Sequence, residues 1–218
     1  AWHVYTTSCG VTQLTTTTAN SLVVTPSSTT TYYIRGEGGC VTAGSCGSRP
    51  VTVNSLDNAS FSYSTSAYCV DAVDPTPIIT GLGGGTFSST GGLNINAGTG
   101  AIDVSASTPG TYTVTYTTAG SCPNSSGVGV TINALDDASF NYGAAAYCVD
   151  ASYPTPTIFG LGGGTFSSTG GLSINAGTGA IDVSASTPGT YTVTYTTAGS
   201  CPNSSGVGVT INAAPTVT

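Results

Sequence analysis

The 79 residues from Asp57 to Leu135 are followed at once by a second copy, Asp136 to Ala214. The copies agree at 68 of 79 positions, and Ile95–Ala134 returns unchanged as Ile174–Ala213. A period that long, with two cysteines in each copy, means tandem domains of one fold. It divides the 218-residue chain into units at 1–55, 56–135 and 136–214, with 215–218 opening a further segment. The first unit is short of a full period and is expected to be incomplete at its N-terminus. Each full unit lies near the lower size limit for a self-supporting core.

Only 5% of residues are charged, which would suggest disorder if the apolar residues were scattered. They are not: the hydrophobic fraction is 39%, and it alternates with Ser and Thr, the period-two signature of half-buried strands. Thr111–Tyr116 is the clearest case, with Tyr112, Val114 and Tyr116 on one face and three threonines on the other. In the second unit strands are expected near 60–63, 67–70, 77–80, 86–89, 93–96, 101–105, 111–118 and 127–133, and the third unit repeats them. The first unit reads as strands at 2–6, 11–15, 21–25, 31–37 and 50–54. Turn chemistry separates them, as at Asn96-Ala-Gly-Thr-Gly100 and Thr108-Pro-Gly110. Tyr112, just after Pro109-Gly110, has the placement of a tyrosine corner. These signals give an all-β fold: tandem immunoglobulin-like β-sandwiches arranged end to end. An odd strand count puts entry and exit at opposite poles. The very short junctions 55–59 and 134–138 then make a rod, each unit adding roughly 30–40 Å.

The run TSCGVTQ…SLVVTPSSTTTYYIRGEGGCVTAGSCGS…VTVN, which fills most of residues 1–54, resembles the immunoglobulin-like repeats of very large Bacteroidota surface and secreted proteins. The segment GGLNINAGTGAIDVSASTPGTYTVTY is similar to a companion domain of those proteins and to the broader cadherin-like immunoglobulin family. The first resemblance implies export by a type IX secretion system and a role in gliding motility or adhesion.

Seven cysteines occur without a CxxC, and His3 is the sole histidine, too few soft ligands for zinc. Disulfides, and hence an oxidising extracellular or cell-surface location, are the expectation. If Cys69 follows strand B and Cys122 follows strand F, both lie at one pole, so Cys69–Cys122 and Cys148–Cys201 are the expected bonds. In the first unit Trp2–Thr6 reads as strand C. That pairs Cys40 with Cys46 and leaves Cys9 for an upstream partner, with Cys9 to Cys40 or Cys46 as the alternative. The first unit is then expected to be completed by strands from outside residues 1–54, preceding Ala1 on the same chain or donated by a neighbour's C-terminal tail.

Chemistry is sparse. Lys is absent, which excludes Schiff bases and Lys–Asn isopeptide cross-links. His3 lies in the incomplete unit and reads as structural. Asp71 and Asp74 form the one close carboxylate pair outside the junction, and the third unit keeps Asp150 but replaces Asp74 by Tyr153. A catalytic pair would therefore be lost in one of two nearly identical copies. Calcium at the junctions is the one metal reading, on Asp57, Asp136 and Asp137 with Asp71, Asp150, Asp103 or Asp182 in reach. Against it, Asp and Asn at strand starts cap turns. The triple glycines 83–85 and 162–164 precede strands and have no following Lys, so they are not phosphate loops. Phe61, Phe87, Phe140 and Phe166 read as core, while Phe159, which replaces Thr80, reads as a surface contact or a repacked core residue.

A net charge of −7 with two Arg disfavours nucleic acid and anionic membranes as partners, and no apolar run is long enough for membrane insertion. The expected function is a non-catalytic structural or adhesive segment of an extracellular repeat protein: a rod, stalk or filament with no cofactor. Its partners would be neighbouring domains or identical subunits. The rival is a carbohydrate- or ligand-binding accessory module of a secreted protein, with surface glycans as the ligand class.

Overall fold

The computed structural model describes residues 1–38 and 44–214, and every described element is β. In the first unit β1 (Trp2–Tyr5), β2 (Gln13–Thr17), β3 (Thr30–Gly36) and β4 (Gly47–Val51) form one antiparallel sheet in the order β2-β1-β3-β4. The expected strand at 21–25 has no ladder. Leu22 and Val24 instead line a shallow pocket with Val4, Tyr32, Ile34, Arg49 and Val51. Extended backbone becomes a strand only where a neighbour offers free N–H and C=O groups, and no described residue does so there.

The second unit contains β5 (Phe61–Ser62), β6 (Ala67–Cys69), β7 (Ile78–Ile79), β8 (Thr86–Ser89), β9 (Asn94–Ile95), β10 (Ile102–Asp103), β11 (Gly110–Thr117) and β12 (Ser125–Asn133). One sheet runs β6-β12-β11-β8, and the pairs β5-β7 and β9-β10 lie opposite. The third unit repeats this as β13 (Phe140–Asn141), β14 (Ala146–Cys148), β15 (Thr157–Ile158), β16 (Thr165–Ser168), β17 (Ser173–Ile174), β18 (Ile181–Asp182), β19 (Gly189–Thr196) and β20 (Ser204–Asn212). Its main sheet is β14-β20-β19-β16. The fold is all-β, tandem β-sandwiches in series, and each strand expected in the two full units is present.

Each sandwich has its own core. The inward face of β11 supplies Tyr112, Val114 and Tyr116, and β12 supplies Val130 and Ile132. Opposite them stand Phe61, Phe87, Ile102 and Val104, and the third unit repeats the set around Val193 and Tyr195. Phe61 meets Phe87 edge-on at 5.4 Å and Tyr116 at 5.9 Å, the geometry that aromatic quadrupoles favour.

Buried hydroxyls are tied to backbone. Tyr112 Oη donates to Thr108 O at 2.6 Å, as Tyr191 Oη does to Thr187 O, so the tyrosine corner exists in both units. Tyr63 Oη donates to Gly100 O at 2.6 Å, and burial pushes its phenol up to about 12. Gly100 closes its turn at φ +73°, where a Cβ would stand 2.6 Å from Pro77 Cγ. Gly85 has no room for a Cβ against Thr117 O, which explains the last glycine of the triplet.

Strand direction orders everything at the poles. β12 runs antiparallel to β11 but parallel to β6. Entering at Asp57, whose N donates to Cys122 O at 2.9 Å, the chain passes Ala59, whose O accepts from Ser126 Oγ at 2.5 Å, and reaches Cys69 opposite Asn133. β5 and β6 are thus two halves of one strand that changes sheets at Ser64–Ser66 without reversing. Entry and exit lie at opposite poles, as the sequence suggests.

Replacing both corner tyrosines, Tyr112→Phe with Tyr191→Phe, should leave the fold intact but cost each sandwich about 1 kcal/mol, the usual net value of such a hydrogen bond. The check is the urea midpoint; an unchanged midpoint would show that the corner contributes nothing.

Candidate functional site at the junction between the repeats

The second and third units meet across Ala134 and Leu135, and the residues on either side are tightly wired. On the near side, β6 delivers Cys69 to the exit pole, opposite Asn133. On the far side stands the hairpin tip between β19 and β20. Asp136 anchors that tip. Its N donates to Cys201 O at 2.8 Å, its Oδ2 accepts from Thr197 Oγ1 at 2.9 Å and Gly199 N at 3.1 Å, and its O accepts from Asn203 Nδ2 at 3.1 Å. A Cβ on Gly199 would stand 2.5 Å from Asp136 Oδ2, so the tip needs glycine there. Cys201 is held facing Cys69, and the two form a disulfide with Cα atoms 5.6 Å apart.

This bond crosses the junction, so adjacent sandwiches are joined twice, by backbone and by sulfur. A second covalent link restricts the bending and rotation that one short linker permits. The bond spans 132 residues, and on chain entropy alone closing such a loop is worth about 5 kcal/mol. Cys201 is 2% exposed, so the disulfide is packed rather than dangling.

The pairings Cys69–Cys122 and Cys148–Cys201 are therefore corrected. Cys122 lies at the entry pole and Cys69 at the exit pole of the same sandwich. The nine-residue β12 separates them by about 30 Å, whereas a disulfide holds its Cα atoms within about 7 Å. The expectation misplaced Cys69 because it counted Ala67–Cys69 as a new, reversed strand B. Cys122 and Cys148 are free thiols.

In the first unit Cys9 bonds Cys46, with Cα atoms 5.7 Å apart, so neither the Cys40–Cys46 pairing nor an upstream partner for Cys9 holds. Cys40 itself lies outside the described residues. The loop after Tyr5 folds back over β3, with Gly10 at φ +82° packed on the Arg35 guanidinium. Gly47 pairs with Ile34, so the residue before it, Cys46, stands beside Arg35, where Cys9 Sγ lies 3.6 Å from Nη1.

The calcium candidates are used by turns of their own sandwiches. Asp57 Oδ2 accepts from Thr118 Oγ1 at 3.0 Å, as Asp136 does from Thr197. Asp137 Oδ1 accepts from the Ser139 N–H at 2.9 Å, and hydrogen bonding from Ser139 holds its carboxyl below the ordinary range. Asp103 and Asp182 cap turns at Ala106 and Ala185. Asp74 Oδ1 accepts from Val104 N at 3.1 Å. Among the described residues no three of His, Cys, Asp and Glu converge as metal ligands.

Phe61, Phe87, Phe140 and Phe166 are core, whereas Phe159 is 68% exposed and Tyr153 61%. His3 Nδ1 lies 3.1 Å from Gln13 Oε1 and 3.8 Å from Glu37 Oε2. Glu37 also accepts from Tyr5 Oη and Arg35 Nε, while Arg35 stacks 5.3 Å over the Tyr5 ring. These bonds, Tyr5 first and Arg35 second, hold the Glu37 carboxyl below the carboxylate range.

No protein-family model matches the sequence, and no curated protein matches it. Among solved structures, the chain is similar to mouse cadherin-23 EC22-24, at 16% identity and TM-score 0.35, covering 85% of this chain and 74% of that one. It is also similar to mouse clustered PcdhgC3 EC1-3, at 13% identity and TM-score 0.34, covering 86% and 77% respectively.

Non-reducing peptide mapping should recover Cys69 linked to Cys201 and Cys9 linked to Cys46. A Cys69–Cys122 peptide would return the bond to a single sandwich. Acid should loosen the first sheet. Because the folded pKa of Glu37 is depressed, its contribution is whole above the ordinary carboxylate value, about 4.3, and is lost as pH falls through the depressed one. Fluorescence of Trp2, the single tryptophan and a β1 residue, should report this transition, and Glu37→Gln should abolish it.

Proposed function

We propose that this chain is a non-catalytic spacer, a stiff stalk or filament segment of an extracellular repeat protein that holds an adhesive or motile element away from a cell surface. The observation that carries the reading is the Cys69–Cys201 disulfide across the junction of two nearly identical sandwiches. A bond placed there joins no two strands of one sandwich and bears on how one unit is held against the next. The disulfides also suit an oxidising compartment outside the cytoplasm, and no described helix is long and apolar enough to cross a membrane.

The same reading takes the units as 1–55, 56–135 and 136–214 of a longer chain. It gives as partners neighbouring domains or identical subunits, and as origin a Bacteroidota surface protein of the type IX secretion class. Stiffness comes from covalent linkage and packing rather than from junction calcium at Asp57, Asp136 or Asp137. Alternating Thr and Ser on outward strand faces, with few charges, make a neutral surface suited to spacing.

Two measurements test this. Chelation with EDTA should leave both the thermal midpoint and the rod length by small-angle X-ray scattering unchanged; a large drop in either would install calcium as the stiffener. The purified chain should also show no saturable binding on a glycan array. Micromolar binding there would favour the carbohydrate-binding module.

A further inference from the structure

Cys148 stands in the third unit where Cys69 stands in the second. β14 runs parallel to β20 and places Cys148 opposite Asn212, as β6 and β12 place Cys69 opposite Asn133. The surrounding residues are the same, since Ala-Tyr-Cys-Val-Asp occurs at 67–71 and 146–150 and β20 repeats β12. The exit pole of the second unit is occupied by the tip of the third, and the matching pole of the third carries an exposed thiol. One molecule thus displays one docking face twice, once filled and, among the described residues, once open.

The tip half of the clamp is duplicated too. At the entry pole of the second unit, Asp57 N donates to Cys122 O at 2.9 Å, Thr118 Oγ1 donates to Asp57 Oδ2 at 3.0 Å, and Asn124 Nδ2 donates to Asp57 O at 3.0 Å. Cys122 is therefore presented as Cys201 is. In the first unit, the described cysteines, Cys9 and Cys46, are already bonded to each other.

We propose that the exit pole of the third unit docks the hairpin tip of one further sandwich on the same chain, and that Cys148 bonds that tip's cysteine. Same-chain delivery follows from the pole itself: the backbone leaves it at Asn212, as it leaves the second unit at Asn133, where two residues suffice to bring the next tip onto Cys69. Residue 215 is Pro where the earlier junction has Asp136; Pro offers neither the N–H nor the carboxylate with which Asp136 holds the Cys201 tip, so the test below restores the Asp136 sequence at that position. The chemistry is thiol–disulfide exchange. Cys148 and the tip thiol together reduce one glutathione disulfide to two glutathione thiols, which take up both protons, and one S–S bond forms between the units. The proposal extends the spacer reading into a serial clamp in which each full unit locks the one that follows it.

The test appends one more copy of Asp136–Ala214 directly after Ala214 in the full chain. The new copy carries a Gly-to-Ala mark at the position of Gly208, where an added Cβ meets nothing within 4 Å, so its tip peptide is distinguishable by mass. After refolding with oxidised and reduced glutathione, non-reducing peptide mapping should link Cys148 to the marked tip. Cys69 should remain on the unmarked Cys201 tip, and Cys122 should remain open to alkylation. Cys148 left free, capped by glutathione or bonded to Cys122, with Cys69–Cys201 intact and the added unit unfolding cooperatively, would overturn the proposal alone. Loss of Cys69–Cys201 itself would overturn the spacer reading and this proposal together.

Discussion

The parallel placement of β6 beside β12 is the constraint on which the junction depends. A strand that changed sheets and also reversed would return its end to the entry pole and close a disulfide inside one sandwich. Because the strand keeps its heading through Ser64–Ser66, Cys69 arrives where the chain leaves the domain. The same sulfur thereby joins two domains instead of two sheets. The core is built apart from this bond, from the aromatic cluster of Phe61, Phe87 and Tyr116 and the fully buried Val114, Val130 and Ile132.

The junction also separates two tasks. The carboxylate of Asp136 and the amide of Asn203 shape the tip of the third unit from within that unit. The Cys69–Cys201 disulfide reaches back to the second. Tip geometry is therefore the same at Cys122, where no bond forms, as at Cys201, where one does. A repeat built this way presents a preformed half-site on each pole, and assembly adds one oxidation step to surfaces that already exist.

Much of the fold was legible in the sequence. Period two in Thr111–Tyr116 gave the inward face of β11, Pro109-Gly110 gave the tyrosine corner, and the 79-residue repeat gave two like sandwiches. The site was less legible. Strand identity along the chain does not state strand heading, and pairing cysteines depends on heading. In the first unit the Cys9–Cys46 bond depends on a loop folding over Arg35, a tertiary choice that local pattern does not encode. The segment 21–25 read as a strand because β-propensity reports extended backbone, not a hydrogen-bonded neighbour.

The central claim is that one disulfide fixes the angle between neighbouring repeats. The direct measurement is the distance distribution between spin labels at the equivalent exposed positions Ser88 and Ser167, one in each full unit, introduced without using cysteine chemistry. The oxidised chain should give a single narrow peak that broadens markedly on reduction or in Cys69→Ser. Equal widths in the oxidised, reduced and Cys69→Ser forms would contradict the account, because the junction would then owe its rigidity, or its freedom, to something other than Cys69–Cys201.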